Sequence, residues 1–177
     1  MSKTVFLFSG QGSQYAGMGA ELMDRYAEAK AVFDEASEVL GFDLADKCRN
    51  ADEAELAKTV ISQPAIMAVS LAAYEAMKAN GIEASAAAGH SLGEYAAMTA
   101  SGMLSRSEAF KVIKARSEAM QKAAESSDGA MCAVIGKDLS SVEAVCAETE
   151  GYVTPVNYNS AAQIVIAGEK KAVEAAA

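Results

Sequence analysis

The sequence has 177 residues, is 51% hydrophobic but only 6% aromatic, and carries a formal net charge of −9. This length suits one domain, or one domain with a small second one, and the composition is that of a helix-rich globular chain rather than a disordered one. Because the chain is acidic and has no cluster of lysines and arginines interleaved with aromatic residues, we expect no nucleic acid partner.

Segments for export, membrane insertion and metal binding are not expected. The apolar run within residues 1–8 is too short for a signal-peptide core. No stretch approaches the roughly 20 apolar residues of a membrane span, so we expect a cytoplasmic protein without a membrane partner. The three cysteines, Cys48, Cys132 and Cys146, have no C-x-x-C pairing and no histidine at ligand spacing. They are therefore interpreted as free thiols in a reducing compartment, and no metal site is expected.

The first predicted element is a buried strand over residues 4–9, whose central residues 5–8 are all apolar. Helical periodicity follows over residues 18–40, with an interruption near Tyr26, and Gly41 is a typical helix stop. Residues 43–58 are predicted to form short charged helical pieces.

An apolar helix and a strand precede the most informative motif. Ser62 has the position of a helix cap and Pro64 that of the first turn, which predicts a buried helix over residues 62–81. Residues 84–88 are predicted as a strand from the motif that follows them, because their alanines are poor strand formers. Helical pattern resumes over residues 92–100.

The later part of the sequence changes its pattern. Ser105 and Glu108 fit a capping box that opens a long helix, and residues 126–129 are the best linker. We therefore divide the chain into residues 1–125 and 126–177. Beyond the linker the predicted order is strand, helix, strand, strand, helix, which is a ferredoxin-like unit without its last strand. The sequence ends inside a helical pattern, so we expect both subdomains to be incomplete in it.

The motif Gly89-His90-Ser91-Leu92-Gly93 fits G-x-S-x-G, the sharp strand-to-helix turn that exposes a nucleophilic serine at the end of a sheet. The small glycines allow the strand and the helix to pack closely around a strained backbone. The N–H of Leu92, at the start of the following helix, is a candidate donor to the oxyanion of a tetrahedral intermediate. The alternative interpretation is a helix start rich in small residues, without chemistry.

The other groups that such a serine needs are only partly present. A serine hydroxyl requires a neighbouring base, and His90 is the only histidine in the sequence. Gly10-Gln11-Gly12 follows the first strand, and the N–H of Gln11 is a candidate second oxyanion donor. A dinucleotide-binding turn competes for this loop, but it needs glycine where the sequence has Tyr15.

Five segments become more specific when they are taken together. They are Phe8-Ser9-Gly10-Gln11-Gly12-Ser13-Gln14, Ser62-Gln63-Pro64-Ala65, Gly89-His90-Ser91-Leu92-Gly93-Glu94-Tyr95, Ala115-Arg116-Ser117-Glu118-Ala119-Met120-Gln121, and Asn157-Tyr158-Asn159-Ser160 with Ile164-Val165-Ile166-Ala167-Gly168. In this order the sequence closely resembles the malonyl-CoA:acyl carrier protein transacylases of type II fatty acid synthesis. It also resembles the acyltransferase domains of polyketide and type I fatty acid synthases.

The resemblance implies a fold and an activity. The fold is α/β: an α/β-hydrolase-like parallel-sheet core in residues 1–125 and a ferredoxin-like small subdomain in residues 126–177. The activity is malonyl transfer from malonyl-CoA to acyl carrier protein in fatty acid biosynthesis, with no bound cofactor and a monomeric enzyme. The family's general base is a histidine well downstream, past Ala177, so we expect negligible activity from this chain alone.

The resemblance also implies roles for single residues. Ser91 accepts the acyl group, and the N–H groups of Gln11 and Leu92 form the oxyanion hole. Arg116 binds the free carboxylate of the malonyl group, which a planar guanidinium grips with two parallel hydrogen bonds. Two further substrate-binding residues, Gln63 and Asn159, are expected near the pocket that holds the acyl group. The signature residues are Gly89, His90 and Gly93, and His90 is expected to point away from the serine as structural support.

Two other functions stay open on the sequence. One is a serine esterase or lipase with the same elbow, which would not need Arg116. The other is a non-catalytic fragment that binds carrier protein, which the lack of a second histidine favours.

Overall fold

The structure is a computed structural model that describes residues 3–177. Met1 and Ser2, which begin the predicted apolar run and the predicted segment 1–125, lie outside the described residues. The chain divides into two compact units, the first ending at Gln121 and the second comprising Lys122–Ala177. The predicted boundary after residue 125 stays a prediction.

Two parallel strands form the sheet of the first unit. They are β1 (Val5–Phe8) and β2 (Ala86–Gly89), with Val5 opposite Ala86 and Phe8 opposite Gly89. Parallel strands need a long crossover between them, which here consists of helices. The helices of this unit are α1 (Ala20–Arg25), α2 (Ala27–Leu40), α3 (Leu44–Asn50), α4 (Glu53–Ala57), α5 (Thr59–Ala79), α6 (Gly93–Ala100) and α7 (Arg106–Ser126), the last of which continues into the second unit.

Local signals set several helix ends as predicted. The break between α1 and α2 falls at Tyr26, whose backbone is extended, and Gly41 ends α2 in the left-handed conformation with a φ of 85°. The capping box is also confirmed, because the N–H of Ser105 donates to Oε2 of Glu108 at 2.9 Å and the N–H of Glu108 donates back to Oγ of Ser105 at 3.2 Å. Reciprocal bonds of this kind satisfy donors that a helix start leaves free.

The predicted cap at Ser62 is wrong. Helix α5 begins earlier, at Thr59, so Ser62 lies fully buried in its first turn and Pro64 lies inside the helix. The N–H of Thr59 donates to Oε1 of Gln121 on α7 at 3.0 Å. A side chain from a distant helix therefore satisfies the start of α5, and no local signal could have indicated it.

The prediction that β1 is a buried strand holds for one of its faces and is wrong for the other. Phe6 and Phe8 are buried, whereas Val5 is 51% and Leu7 79% exposed. The core of the unit packs against the phenylalanine face. Its fully buried side chains include Phe33, Leu44, Met67, Leu71, Phe110 and Ile113.

Helix α5 bears on the expectation that the sequence contains no membrane span. By length and composition alone, it is a helix of the described chain that is long and apolar enough to cross a membrane. A core helix of a globular protein passes the same test, and 61% of the residues in the apolar segment are buried, so the expectation stays a prediction.

The second unit is an antiparallel sheet with two helices packed on it. Its elements are β3 (Gly129–Ile135), α8 (Leu139–Glu148), β4 (Val153–Ser160), β5 (Gln163–Glu169) and α9 (Lys170–Ala176). The strand order is β3-β5-β4. This confirms the predicted succession of strand, helix, strand, strand, helix. The core of the unit includes Val142, Cys146, Val153, Ile164, Ile166 and Val173.

Candidate active site

The G-x-S-x-G motif forms a sharp turn between β2 and α6. Ser91 is the one non-glycine residue in the described chain with a positive φ, which is 53°. The residue is exposed. The turn closes through backbone hydrogen bonds, from the N–H of Gly93 to the carbonyl of His90 at 2.9 Å and from the N–H of Glu94 to that of Ser91 at 3.1 Å. A serine whose backbone is in the left-handed conformation, placed between a strand and a helix, is typical of a nucleophile elbow.

The two motif glycines are required by close backbone contacts. A Cβ atom on Gly89 would lie 2.0 Å from the carbonyl carbon of Gly93. A Cβ atom on Gly93 would lie 2.3 Å from the carbonyl oxygen of Phe8, at the end of β1. Any side chain at either position would therefore push α6 away from the strands.

The loop after β1 lies against the elbow. The N–H of His90 donates to the carbonyl of Phe8 at 3.1 Å. A Cβ atom on Gly10 would lie 2.7 Å from Nδ1 of His90, so the imidazole packs against the backbone of Gly10. This contact brings Gln11, the next residue, to the nucleophile turn.

A continuous chain of hydrogen bonds connects four of the predicted site residues. Arg116 on α7 donates from Nη2 to Oγ of Ser91 at 3.0 Å and from Nη1 to Oε1 of Gln63 at 2.6 Å. Gln63 on α5 is fully buried, and its Nε2 donates to Oε1 of Gln11 at 3.1 Å. The structure therefore brings together four residues from different segments. They come from the loop after β1 (Gln11), α5 (Gln63), the elbow (Ser91) and α7 (Arg116).

Arg116 is a partly buried cation beside the nucleophile. Among residues 3–177, no carboxylate lies within 4.0 Å of its guanidinium. An arginine that is removed from water without an anionic partner is costly, and a ligand carboxylate would offset that cost. The site can therefore receive an acid next to Ser91.

Two backbone donors beside the serine are available. Within the described residues, neither the N–H of Gln11 nor that of Leu92 donates a hydrogen bond to another backbone or side-chain group. Leu92 itself is fully buried at the start of α6. Backbone N–H groups in such a position can bind an oxyanion, as predicted, although that role stays a prediction.

Two neighbours of the site were not singled out from the sequence. The Tyr95 ring centroid lies 5.9 Å from Cζ of Arg116, and Sδ of Met120 accepts a hydrogen bond from Nε2 of Gln63 at 3.3 Å. Met120 follows Arg116 by four residues on α7, the spacing that puts side chains on one helix face, and this spacing was an available signal. It gives no signal for Tyr95, because Ser91, four residues earlier, lies before α6 with a left-handed backbone.

Asn159 belongs to the second unit. It lies in β4, and its Nδ2 donates to Oε1 of Gln163 at 3.0 Å. Its predicted place near the acyl pocket stays a prediction. In the part of the chain that the structure describes, no group of three or more histidine, cysteine, aspartate or glutamate side chains could hold a metal ion.

Comparisons with known proteins give this geometry a context. The sequence model of the acyl transferase domain matches residues 5–176. The malonyl CoA-acyl carrier protein transacylase of Bacillus subtilis (strain 168) is 42% identical over 99% of this chain and 56% of its own length. That of Escherichia coli (strain K12) is 42% identical over 99% of this chain and 58% of its own.

Solved structures of the same kind of enzyme are also similar to this chain. The acyl carrier protein S-malonyltransferase of Vibrio cholerae has a TM-score of 0.89 and 43% identity, over 99% of this chain and 58% of its own. A malonyl-transacylase solved with the acyl-carrier protein of its type II PKS has a TM-score of 0.92 and 42% identity over the same shares. The likeness confirms the predicted α/β fold class, hydrolase-like with a ferredoxin-like subdomain. The chain spans a little over half the length of these relatives.

Proposed function

The chain belongs to the acyl transferase domain family, and on that premise we propose that it carries the nucleophile of a malonyl transfer from coenzyme A to acyl carrier protein. The observation that carries the proposal is the contact of Arg116 with Ser91 at 3.0 Å. A guanidinium without a carboxylate partner, held beside a nucleophile, suits an acyl group that bears its own carboxylate. The relatives in Bacillus subtilis and Escherichia coli, which are malonyl CoA-acyl carrier protein transacylases, support the same substrate and acceptor.

The first half of the reaction acylates Ser91. Its Oγ forms a bond to the thioester carbonyl carbon of malonyl-CoA, while a base takes the hydroxyl proton. The carbonyl oxygen becomes an oxyanion that accepts hydrogen bonds from the N–H groups of Gln11 and Leu92. The carbon–sulfur bond then breaks, and the thiolate of coenzyme A leaves and takes up a proton. One oxyanion donor contributes about 10²–10³-fold to such a step.

The second half regenerates the serine. The phosphopantetheine thiol of acyl carrier protein loses its proton to the base and attacks the malonyl ester. The bond to Oγ breaks, and Ser91 regains its proton. Because a covalent intermediate separates the halves, ping-pong kinetics are expected. Arg116 holds the malonyl carboxylate through both halves.

His90 is not the base in this scheme. Its ring packs against Gly10, so it belongs to the support of the loop that carries Gln11. The proton acceptor is a separate group, in line with the family resemblance. A small diffusible base should be able to replace it.

The remaining assignments follow the same proposal. Acyl carrier protein is the macromolecular partner, supported by the relative solved with its carrier protein. Malonyl-CoA is a substrate, and no bound cofactor takes part. We assign residues 1–125 to the large subdomain and 126–177 to the small one, place Asn159 beside the acyl group, and expect a cytoplasmic monomer.

The rival function is a serine esterase. It would use Ser91 and the same two backbone donors, but it gives no reason for a guanidinium bound to the nucleophile. A neutral ester would leave Arg116 partly buried and without an anion, which is unfavourable. The arrangement therefore favours an acidic acyl group.

The test is acylation of the purified chain, measured by intact mass spectrometry with malonyl-CoA or acetyl-CoA and with imidazole as an external base. We expect one malonyl group on Ser91 in the presence of imidazole, and slower acetylation. Ser91→Ala is the control for the site. Arg116→Gln should lose malonylation preferentially.

Two results would contradict the proposal. One is a wild-type chain that gains no malonyl group even with imidazole. The other is an Arg116→Gln variant that keeps the preference for malonyl over acetyl.

A further inference from the structure

We propose that Arg116 has a second role: it engages the oxygen of Ser91 until a carboxylate binds the guanidinium and releases this oxygen for attack. The inference rests on the proposed function, because it concerns the same arginine and the same class of acidic acyl group. It goes further by making the nucleophile itself dependent on the substrate's carboxylate. Specificity would then come from reactivity as well as from affinity.

The contact between the two residues is direct. Nη2 of Arg116 donates to Oγ of Ser91 at 3.0 Å, a normal hydrogen-bond distance. The lone pair of Oγ that accepts this bond from a cation is withdrawn from attack on a carbonyl carbon. The serine is exposed, its backbone is held in the elbow, and among residues 3–177 this is the hydrogen bond that its oxygen makes.

The rest of the guanidinium is held in place independently. Nη1 donates to Oε1 of Gln63 at 2.6 Å, and Gln63 is fully buried. The Tyr95 ring centroid lies 5.9 Å from Cζ. Arg116 therefore needs only a small movement to exchange the serine oxygen for another acceptor, while its other amino group stays bound.

A carboxylate is the acceptor that wins this exchange. The bond from Arg116 to the serine hydroxyl has one ionised partner, whereas a bond to a carboxylate has two, and a carboxylate also matches the guanidinium with two parallel hydrogen bonds. Among residues 3–177 no carboxylate competes within 4.0 Å. An incoming acid can therefore take the place of Oγ, whereas a neutral acyl group leaves the serine engaged.

The test separates release of the oxygen from acyl transfer. Ser91 is labelled with phenylmethanesulfonyl fluoride, a neutral reagent that needs neither coenzyme A nor carrier protein, with imidazole as base, and labelling is followed by intact mass. Sodium acetate is compared with sodium chloride at equal ionic strength. We expect acetate to accelerate labelling of the wild type about tenfold, the effect of losing one charge-assisted hydrogen bond.

Variants fix the origin of the effect. Arg116→Gln should be labelled at the raised rate without acetate and should not respond to it. Lys111→Gln removes the same charge from the same helix and should behave as wild type. Ser91→Ala should not be labelled, and circular dichroism checks that each variant is folded.

The opposite results overturn the inference. They are a wild-type rate that acetate leaves unchanged or lowers, or an Arg116→Gln variant labelled more slowly than wild type, which would mean that the guanidinium activates the serine. Because labelling uses no malonyl-CoA, failure of malonyl transfer and failure of this inference give different results.

Discussion

Gln63 accepts a hydrogen bond from Nη1 of Arg116 at 2.6 Å, although the two residues lie on different helices, α5 and α7. The same carboxamide donates to Oε1 of Gln11 in the loop after β1. One fully buried side chain therefore ties the cation of the site to the loop that carries a predicted oxyanion donor.

Gln63→Glu tests this connection. The new carboxylate would lie at hydrogen-bond distance from Arg116 and would neutralise it from inside the protein. We expect malonate to bind at least about tenfold more weakly, measured by isothermal titration calorimetry. An unchanged malonate affinity would show that Gln63 does not control the charge of the site. Gln14→Glu is the control for added charge, because this half-buried residue lies in the first loop and a carboxylate there can still accept from the N–H of Gly12.

Gly93→Ala should destabilise the first unit severely. The new Cβ would lie 2.3 Å from the carbonyl oxygen of Phe8 and 2.8 Å from that of Ser9, and backbone cannot move aside cheaply. We expect a loss of at least about 3 kcal/mol in the free energy of unfolding, measured in urea by circular dichroism. Gly102→Ala is the matched control, since its φ of 78° is strained for alanine but nothing lies within 4 Å. It should cost only about 1 kcal/mol, and equal losses would refute the argument from close contact.

The cysteines should differ in reactivity. Burial raises the pKa of the Cys48 thiol to about 12 and also raises the pKa of Cys146, whereas Cys132 is only partly buried. Because the thiolate is the reactive form, iodoacetamide at pH 8 should label Cys132 first and Cys48 last, as measured by peptide mass spectrometry. Early labelling of Cys48 in the folded protein would contradict this order.

Asp138 should make the second unit sensitive to acid. It caps α8 by accepting from Oγ of Ser140, from Oγ of Ser141 and from the N–H of Ser141, and these bonds hold its pKa well below the ordinary value of 3.8. The folded pKa is the lower one, so the stabilisation is present above pH 3.8 and is lost as the pH falls below it.

Asp138→Asn isolates this titration, because asparagine caps helices about as well as aspartate but does not ionise there. Thermal unfolding followed between pH 7 and pH 2 should show a steeper loss of stability for the wild type than for the variant. Parallel curves would mean that the cap does not depend on the carboxylate charge.

Features encoded in neighbouring residues could be predicted from the sequence. The elbow at Ser91, the break at Tyr26 and the capping box at Ser105 each follow from the chemistry of a few adjacent residues. The order of strands and helices in the second unit follows from the period of its apolar residues. The family resemblance added Gln63 and Arg116, which the structure connects by hydrogen bonds to each other and to Gln11.

Features that depend on contacts between distant residues could not be predicted. The N–H of Thr59 at the start of α5 donates to the side chain of Gln121, which lies 62 residues away along the chain. Ser62, interpreted as a cap, is instead buried, and its Oγ has no hydrogen-bond partner in the described structure. The exposure of Val5 and Leu7 likewise depends on which face of β1 the helices cover, and an apolar run does not record that.

The left-handed backbone of Ser91, with its φ of 53°, also limits which nucleophiles the elbow can carry. A branched Cβ is strongly disfavoured at positive φ, so threonine, the other hydroxyl residue of this size, is unsuited to the position. Cysteine has the unbranched Cβ of serine and fits the same turn. The backbone at position 91 therefore allows the serine hydroxyl to be replaced by the thiol of cysteine, but disfavours its replacement by the secondary alcohol of threonine.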